Sequence, residues 1–570
     1  MSHDLQETFS KADVEKGNDV VIRQHGDIDG SATAGESLHR GLKGRHVQMI
    51  SIGGVIGTGL FLGTANALRH GGPAGLFIGY AAIGSLCYAV MVSLGEMVAH
   101  LPIAGGHITL ARRFVTPALG FAMGWNYWYN WVIVLPAELN AAAVLIGYWS
   151  NANPAIWITV CLVVAVAINL GGARTYGEAE FWFAIIKVLT IVGLIILGII
   201  IDAGGGPNGD AIGFRYWNNP GAFVQYLGID GATGRFLGTW AVLIQASFSY
   251  IGTEIVAIAA GETKDPRKTL PRAIKNVYIR ILFFYLLGTF VTGLLVPSND
   301  PRLALGTGTA VSAPFVIAIQ DAGIKALPSI INACLLTSAW SAASSDLYTS
   351  SRALYGLALN GQAPAFLKKT NRWGLPYYCI AVGVAFSLLS YMSAGSKSAG
   401  TVFNYFANCL RQMTSVCGLL TWWGICLTST RFYAGLKAQG IDRKMLPYRA
   451  PFQPFLAYYG LIFCTSLSGR GGRSGGADSS SAASVVLFFN GWQVFVNGQW
   501  DTSTFVTSYF PIWFFPVLYI FYRFIWRRSE RGPSLQEMDF VSGSREEQFF
   551  EDHEAPESKS LGRKILAYVL

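Results

Sequence analysis

Long apolar runs separated by short polar intervals organise this chain. Twelve of them recur, near 47–67, 74–98, 118–148, 155–171, 179–201, 237–260, 277–297, 314–344, 377–394, 402–428, 453–496 and 507–526. A helix needs about 20 apolar residues to cross the hydrocarbon core of a bilayer. The runs are continuous, not alternating segments of about ten residues, so they predict helices and exclude a transmembrane β-barrel. The third and eighth runs are long, which predicts tilt or extension past the bilayer.

The eleventh run is interrupted. Its apolar start, PFLAYYGLIFCT, leads into SLSGRGGRSGGADSSSA, a Gly/Ser-rich stretch of low complexity. Removing 466–484 joins 456–465 to 485–495 and leaves about 21 residues, one normal span. The stretch reads as an insertion artefact such as translated intron sequence. The alternative is a genuine insert looped out of the bilayer. Sequencing the transcript across it decides between them.

Charge in the intervals fixes orientation. With the N-terminus in the cytosol, the inside intervals hold Arg112 and Arg113, then Arg174, then Lys264, Arg267, Lys268, Arg272 and Lys275. Later ones hold Arg352, Lys368, Lys369 and Arg372, then Arg431, Lys437, Arg443, Lys444 and Arg449. The longest opposite interval, 202–236, has only Arg215 and Arg235. This asymmetry places both termini in the cytosol. The first 40 residues lack an apolar core, so they are not a secretory signal peptide, and the first span is expected to direct insertion.

Composition agrees. Hydrophobic residues make up 52% and charged residues 13%, about half the charged share of a soluble domain. The net charge of +9 is explained by the inside intervals, and no motif supports nucleic-acid binding. The eight cysteines lie in apolar stretches without metal-ligand spacing and read as small buried hydrophobes. No cofactor or metal is expected.

Two spans carry the candidate chemistry. The first contains IGGVIGTGLF, with Gly53, Gly54, Gly57 and Gly59 at its middle. Each glycine weakens a helix interior by about 1 kcal/mol relative to alanine, and four together can open the backbone. The sixth contains SFSYIGTEIVAIAAGE, with Gly252 among Ser249, Tyr250, Thr253 and Glu254. Open backbone at bilayer depth is tolerated only where it lines a cavity or is buried in protein. Interrupted spans in matching positions of two halves point to a transporter's substrate site. Close helix packing through small residues is the alternative. Ile56, Gly57, Thr58, Gly59, Ser249, Tyr250, Gly252 and Thr253 are the binding candidates.

The expected fold is therefore an all-α membrane protein of twelve helices. Its core is a five-plus-five inverted repeat with helices 1 and 6 broken, followed by two C-terminal helices. The divisions are a tail at 1–45, a ten-helix transport core at 46–430, helices 11 and 12 with the anomalous insert at 431–528, and a tail at 529–570. The last tail is charged and reads as disordered apart from its apolar end, ILAYVL.

Ionisable residues at depth are functional candidates. Lys187 is central in helix 5, Glu254 follows the helix 6 break, and Glu138 lies in helix 3. Desolvation disfavours the lysine's charged form, so Lys187 can release and regain a proton or serve as a fixed positive charge. Structural tethering is the alternative for each. Glu96 and Glu262 sit near helix ends, where snorkelling or gating pairs are expected. Helix 8 carries a small polar stripe, Asn332, Ser338, Ser341 and Ser344, with Asp346 and Arg352 beyond it as an expected pair.

The segment RGLKGRHVQMISIGGVIGTGLF at 40–61 resembles the start of the fungal amino-acid permeases of the amino acid–polyamine–organocation superfamily. GGPAGLFIGY, LGEMVAHLP, FWFAIIKVLTI and LPYRAPFQP agree, so the resemblance spans about 40–530. GFRYWNNPGAF, SSDLYTSSRALYGLALNGQAPAFL and GLPYYCIAVGV look most like the dicarboxylic amino-acid branch. The resemblance implies a proton–amino-acid symporter of the plasma membrane, importing L-amino acids, glutamate and aspartate among them, by alternating access. It implies that the substrate carboxylate meets Thr58, Gly59 and their neighbours, and that its amino group meets carbonyls near Ile56 and Ser249. Tyr250 aligns with a position where an aromatic covers the substrate. Lys187 matches a lysine that replaces the sodium ion in proton-coupled relatives. The departure in helix 11 lies outside the ten-helix core.

Rival classes remain distinguishable. A permease-like nutrient receptor with little flux would favour long tails, and these are modest. A broad-range neutral amino-acid permease is the other alternative. A channel needs a continuous polar pore lining, which the spans lack. An enzyme needs clustered His, Cys or carboxylates at one depth. The expected partners are the amino acid, protons, the lipid bilayer, and ubiquitin-ligase adaptors acting on Lys11, Lys16 or Lys43 of the N-terminal tail.

Overall fold

The computed structural model describes residues 38–53, 56–61, 63–304, 313–394, 397–466, 491–496, 500 and 502–542. Among them the regular structure is helical, with two isolated bridges, Leu42 to Thr263 and Ala203 to Ala211. Lys11, Lys16 and nearly all of the Gly/Ser-rich insert lie outside the described residues.

Helix α1 (Gly44–Gly53) opens the described bundle, and helical structure resumes in α2 (Thr58–Phe61). Helix α3 (Gly63–His100) is two helices in one run, because Gly72 takes φ 72° and ψ 178° ahead of Pro73. Proline disfavours helical geometry in the residue before it. A Cβ on Gly72 would lie 2.6 Å from the Ala222 carbonyl oxygen, so both the backbone and the close approach require glycine.

The short α4 (Gly106–Phe114) precedes α5 (Pro117–Ile146) and α6 (Pro154–Leu170). Their starts follow local chemistry. Thr116 accepts from the Leu119 amide at 3.1 Å and Asn153 from the Ala155 amide at 2.9 Å, each just before a proline at the first helical position. Next come α7 (Gly172–Asp202), α8 (Gly231–Tyr250) and α9 (Ile255–Ala259). Helix α10 (Pro266–Arg280) runs through a π-turn into α11 (Leu287–Leu295). The remainder are α12 (Pro314–Asp321), α13 (Leu327–Leu359), α14 (Tyr377–Ser387), α15 (Lys397–Ala438), α16 (Phe455–Ser466) and α17 (Thr502–Ile520).

Seven described helical stretches are long and apolar enough to cross a membrane, and Pro154–Leu170 and Phe455–Thr465 are shorter apolar helices. Large apolar side chains point outward from them, among them Trp182 and Leu189 on α7, Val163 on α6 and Trp513 on α17. Water-exposed surfaces rarely carry contiguous apolar patches on this scale, whereas lipid-facing ones do. The interior is made by close pairs, chiefly α13 on α5, α3 on α8 and α1 on α7.

The α1–α7 contact depends on Gly53. A Cβ there would fall inside the Ala184 side chain and 2.6 Å from its Cα. Gly53→Ala is expected to destabilise the protein by about 1–3 kcal/mol through overpacking. Gly193→Ala, where nothing lies within 4 Å, is expected to be neutral or to stabilise by up to about 1 kcal/mol. Melting of the detergent-solubilised variants checks both. Equal melting points would refute the close approach of α1 and α7.

Two sequence expectations need correction. The segment after Ser529 does not start as a loose tail. Met538 and Phe540 are buried, and Phe540 stacks on Phe114 at 5.2 Å and contacts Phe432 at 5.4 Å. Gln439 donates to the carbonyls of Leu535 and Met538, and Arg113 donates to that of Ser542. A few apolar anchors and backbone acceptors outweigh the charged composition; residues 543–570 lie outside the described residues. The second correction is the pairing of Asp346 with Arg352. Arg352 instead donates to Glu262, and Asp346 points elsewhere.

Candidate functional site

Among the described residues, two interruptions of regular helix come together in the bundle. In the first, α1 ends at Gly53, and Ile56 and Gly57 precede α2. In the second, α8 ends at Tyr250 and Ile251 is extended, with φ −61° and ψ 141°. Gly252 then takes φ 104°, a left-handed conformation that favours glycine, before α9 resumes. The helices flanking the two interruptions touch. The Ser249 hydroxyl donates to the Gly59 carbonyl at 3.0 Å, and a Cβ on Gly59 would sit 3.2 Å from the Ser249 Cα.

A cavity lies against both interruptions. Gly57 and Gly59 form one wall, and Phe248, Ser249 and Ile251 form another. A Cβ on Gly57 would meet nothing within 4 Å, so the backbone there faces open space. Helix α5 adds Asn130, Val134 and Glu138, spaced four residues apart on one face, with Trp131 beside them. Helix α13 adds Ala342, Ser345 and Asp346, and α15 adds Thr414. The lining thus carries two carboxylates, Glu138 and Asp346, both buried.

The other candidates stand behind these walls. The Lys187 ammonium donates to the Gly53 carbonyl at 2.9 Å and to the Ser341 hydroxyl at 2.8 Å, with Glu180 at 3.7 Å. It therefore holds the last carbonyl of α1 beside the first interruption. Glu254 brackets the second one. Its carboxylate accepts from the Gly252 amide at 3.2 Å and from the Trp422 indole at 3.1 Å. Thr253 donates to the Tyr250 carbonyl at 3.2 Å. The Ile56 carbonyl accepts from Ser338 at 3.3 Å. Thr58 begins α2.

Tyr250 does not cover the cavity. Its ring is fully buried, stacked 4.2 Å from Tyr285, and its hydroxyl donates to the Tyr80 carbonyl at 3.1 Å. The tyrosines fix Ser249 instead. Tyr80 shares a hydrogen bond with its hydroxyl at 2.9 Å, and Tyr285 donates to its carbonyl at 2.9 Å. The aromatic surfaces facing the cavity belong to Trp131 and Phe248.

The family model for amino acid permeases matches residues 46–468. The chain belongs to this family. It is a multi-pass membrane permease, and amino-acid transport is its activity. This permease is 42% identical over 497 residues to the dicarboxylic amino acid permease of Saccharomyces cerevisiae, covering 86% of this chain and 78% of that one. It is 41% identical over 527 residues to the proline-specific permease of the same yeast, covering 90% of this chain and 79% of the other. Among solved structures it resembles a manganese transporter of Eremococcus coleocola, crystallised with an aromatic bis-isothiourea substituted compound. The TM-score is 0.50 at 10% identity, over 85% of this chain and 94% of that one. At that identity the likeness concerns the fold alone.

The family read from the motifs is the family found, with the dicarboxylic permease among the relatives. Sequence reading named Ser249, Glu138 and Asp346 but missed Asn130, Trp131, Phe248 and Thr414 of the permease's cavity lining. The spacing of Asn130, Val134 and Glu138 was an available signal, because a polar–apolar–polar set at intervals of four marks one helix face. The stripe Asn332, Ser338, Ser341 and Ser344 turned out to make hydrogen bonds to Leu145, Ile56, Glu180 and Asn169 respectively. Its neighbours Ala342 and Ser345 line the cavity.

Proposed function

We propose that this permease imports L-amino acids across the plasma membrane by proton symport and alternating access, with twelve spans, both termini cytosolic and a five-plus-five core. The observation that carries this reading is the cavity at the meeting of two helix interruptions, walled by Gly57 and Gly59 on one side and by Ser249 and Ile251 on the other. In this reading the substrate carboxylate meets the backbone at 57–59, where Gly57 leaves open space. The substrate ammonium meets carbonyls near Ile56 and Ser249, each of which keeps a second lone pair after its present hydrogen bond. Lys187, at the edge of the first interruption, is the proton-coupling residue, with Glu138 and Glu254 as further candidates.

Acidic substrates are supported by the 42% identity to the dicarboxylic permease. A specific observation favours the broad neutral reading instead. The cavity wall bears Glu138 and Asp346, and among the described residues no lysine or arginine lines it. A second negative charge on the substrate would be repelled there unless a wall carboxyl were protonated.

Radiolabelled uptake in a fungal host lacking its own amino-acid permeases tests both levels. Uptake is expected to be concentrative and abolished by a protonophore. Competition by aspartate, glutamate, leucine, arginine and proline then ranks the substrates. Binding without flux would overturn transport in favour of a nutrient receptor. Insensitivity to the protonophore would overturn proton coupling alone.

A further inference from the structure

Resting on that proton-coupled reading, we infer that Glu180 is the proton acceptor for Lys187, with the Ser341 hydroxyl as the relay between them. Both ionisable groups are buried on α7, seven residues apart and so about two turns along one face. The direct separation of nitrogen and carboxylate oxygen is 3.7 Å, too long for a hydrogen bond. The connection runs through serine. Lys187 Nζ donates to Ser341 Oγ at 2.8 Å, and Ser341 Oγ donates to Glu180 Oε2 at 2.5 Å. Glu180 Oε1 receives no hydrogen bond.

A purely structural ion pair would gain most from direct contact, because burying two charges costs several kcal/mol each unless the geometry is close. This pair is split by a hydroxyl that can accept and donate in the same step. Its location also ties it to transport. Lys187 holds the Gly53 carbonyl at the end of α1, and Ser345, a cavity-wall residue, places its hydroxyl 3.5 Å from Glu180 Oε2. Among the described residues, the other titratable groups facing the pair are Tyr176 from α7, Glu138 from α5 and Asp346 from α13, and α1 presents the Gly53 carbonyl.

The step balances. An N–H bond of the Lys187 ammonium breaks as an O–H bond forms on Ser341. The original hydroxyl proton of Ser341 passes to Glu180. An amine and a carboxylic acid replace an ammonium and a carboxylate, so the net charge is unchanged inside the membrane. Loss of the carboxyl proton to water on the receiving side leaves one negative charge. A proton from the donor side neutralises it.

The test uses the full chain in the permease-deficient host and the radiolabelled amino acid that wild type takes up best. Initial uptake across external pH, the accumulation ratio, and exchange in de-energised cells are measured for Glu180→Gln, Glu180→Asp and Ser341→Ala. Glu180→Gln is expected to lose the pH dependence and to lower the accumulation ratio by about tenfold or more, while part of the exchange persists. Glu180→Asp is expected to restore the pH dependence in part. Ser341→Ala is expected to slow coupled uptake more than exchange. Wild-type accumulation and pH profile in Glu180→Gln would overturn the inference. So would equal losses of exchange and accumulation with the profile unchanged, which is the mark of a structural pair. If Glu180→Gln does not reach the membrane, a wild-type profile in Ser341→Ala overturns the relay. A wild type insensitive to protonophore is a separate failure, that of proton symport itself.

Discussion

Lys187→Met is expected to abolish concentrative uptake and to lower stability together. The ammonium makes two hydrogen bonds, to the Gly53 carbonyl and the Ser341 hydroxyl, and offsets the charge of Glu180. Methionine replaces the stem and none of these. Glu180 would then be a buried carboxylate without its countercharge, and removing one member of such a pair costs about 3–5 kcal/mol. Each 1.4 kcal/mol is a factor of ten, so a loss of about two to three and a half decades in any equilibrium that needs this geometry is expected. Lys187→Arg separates charge from titration, because arginine keeps the positive charge and does not release a proton in proteins. It is expected to retain more exchange than Lys187→Met but no accumulation. Full accumulation by either variant, at surface levels matched by a fluorescent tag, would remove Lys187 from the coupling mechanism.

Much of this site was legible in sequence, for physical reasons. Glycines clustered inside an apolar run conflict with helix formation, so Gly57, Gly59 and Gly252 announced themselves without any three-dimensional information. A lysine in the middle of a span is equally conspicuous, since few environments tolerate it. The rest depended on directions that composition does not hold. Asp346 and Arg352 are six residues apart, about 240° round a helix, so they face different surroundings. One faces the cavity and the other faces Glu262. Arg352 and Tyr348, four apart, share a face, and the guanidinium lies 4.2 Å over the ring. Tyr250 looked like a cavity aromatic because the family resemblance aligns it with a position where an aromatic covers the substrate. Its neighbour Phe248 takes that place, since α8 is still helical there and rotates the two rings about 200° apart. Glu180 escaped notice because it opens the apolar part of its span, where a carboxylate reads as a helix-end residue.

The Glu262–Arg352 contact carries the second large effect. Arg352 donates from Nε and Nη2 to the Glu262 carboxylate, both at 3.2 Å, and the Tyr348 hydroxyl donates to the same carboxylate. Tyr348 stacks face to face on Tyr176 of α7 at 4.0 Å. Glu262 also accepts through its backbone, from the Leu42 amide at 2.9 Å, and Lys264 donates back to Leu42 at 2.8 Å. One buried cluster thus joins the segment before α1, the segment after α9, α7 and α13. These are the flanks of both helix interruptions, so their relative positions depend on it. Arg352→Ala is expected to cost about 3–5 kcal/mol, because it strands the Glu262 charge out of water. Glu262→Gln strands the buried Arg352 guanidinium in turn and is expected to cost about 3–5 kcal/mol as well, although the amide oxygen still accepts from Tyr348. The double variant Arg352→Met with Glu262→Gln is expected to be more stable than Arg352→Ala alone. Replacing both charges removes the stranded one, and residues in direct contact do not add. Melting points of the purified variants check the order, with uptake measured in parallel. Strict additivity would show that the two residues do not act as a pair. Restored stability with uptake still lost would show that the charges themselves, and not only the packing they secure, are needed as the flanks of the two interruptions move.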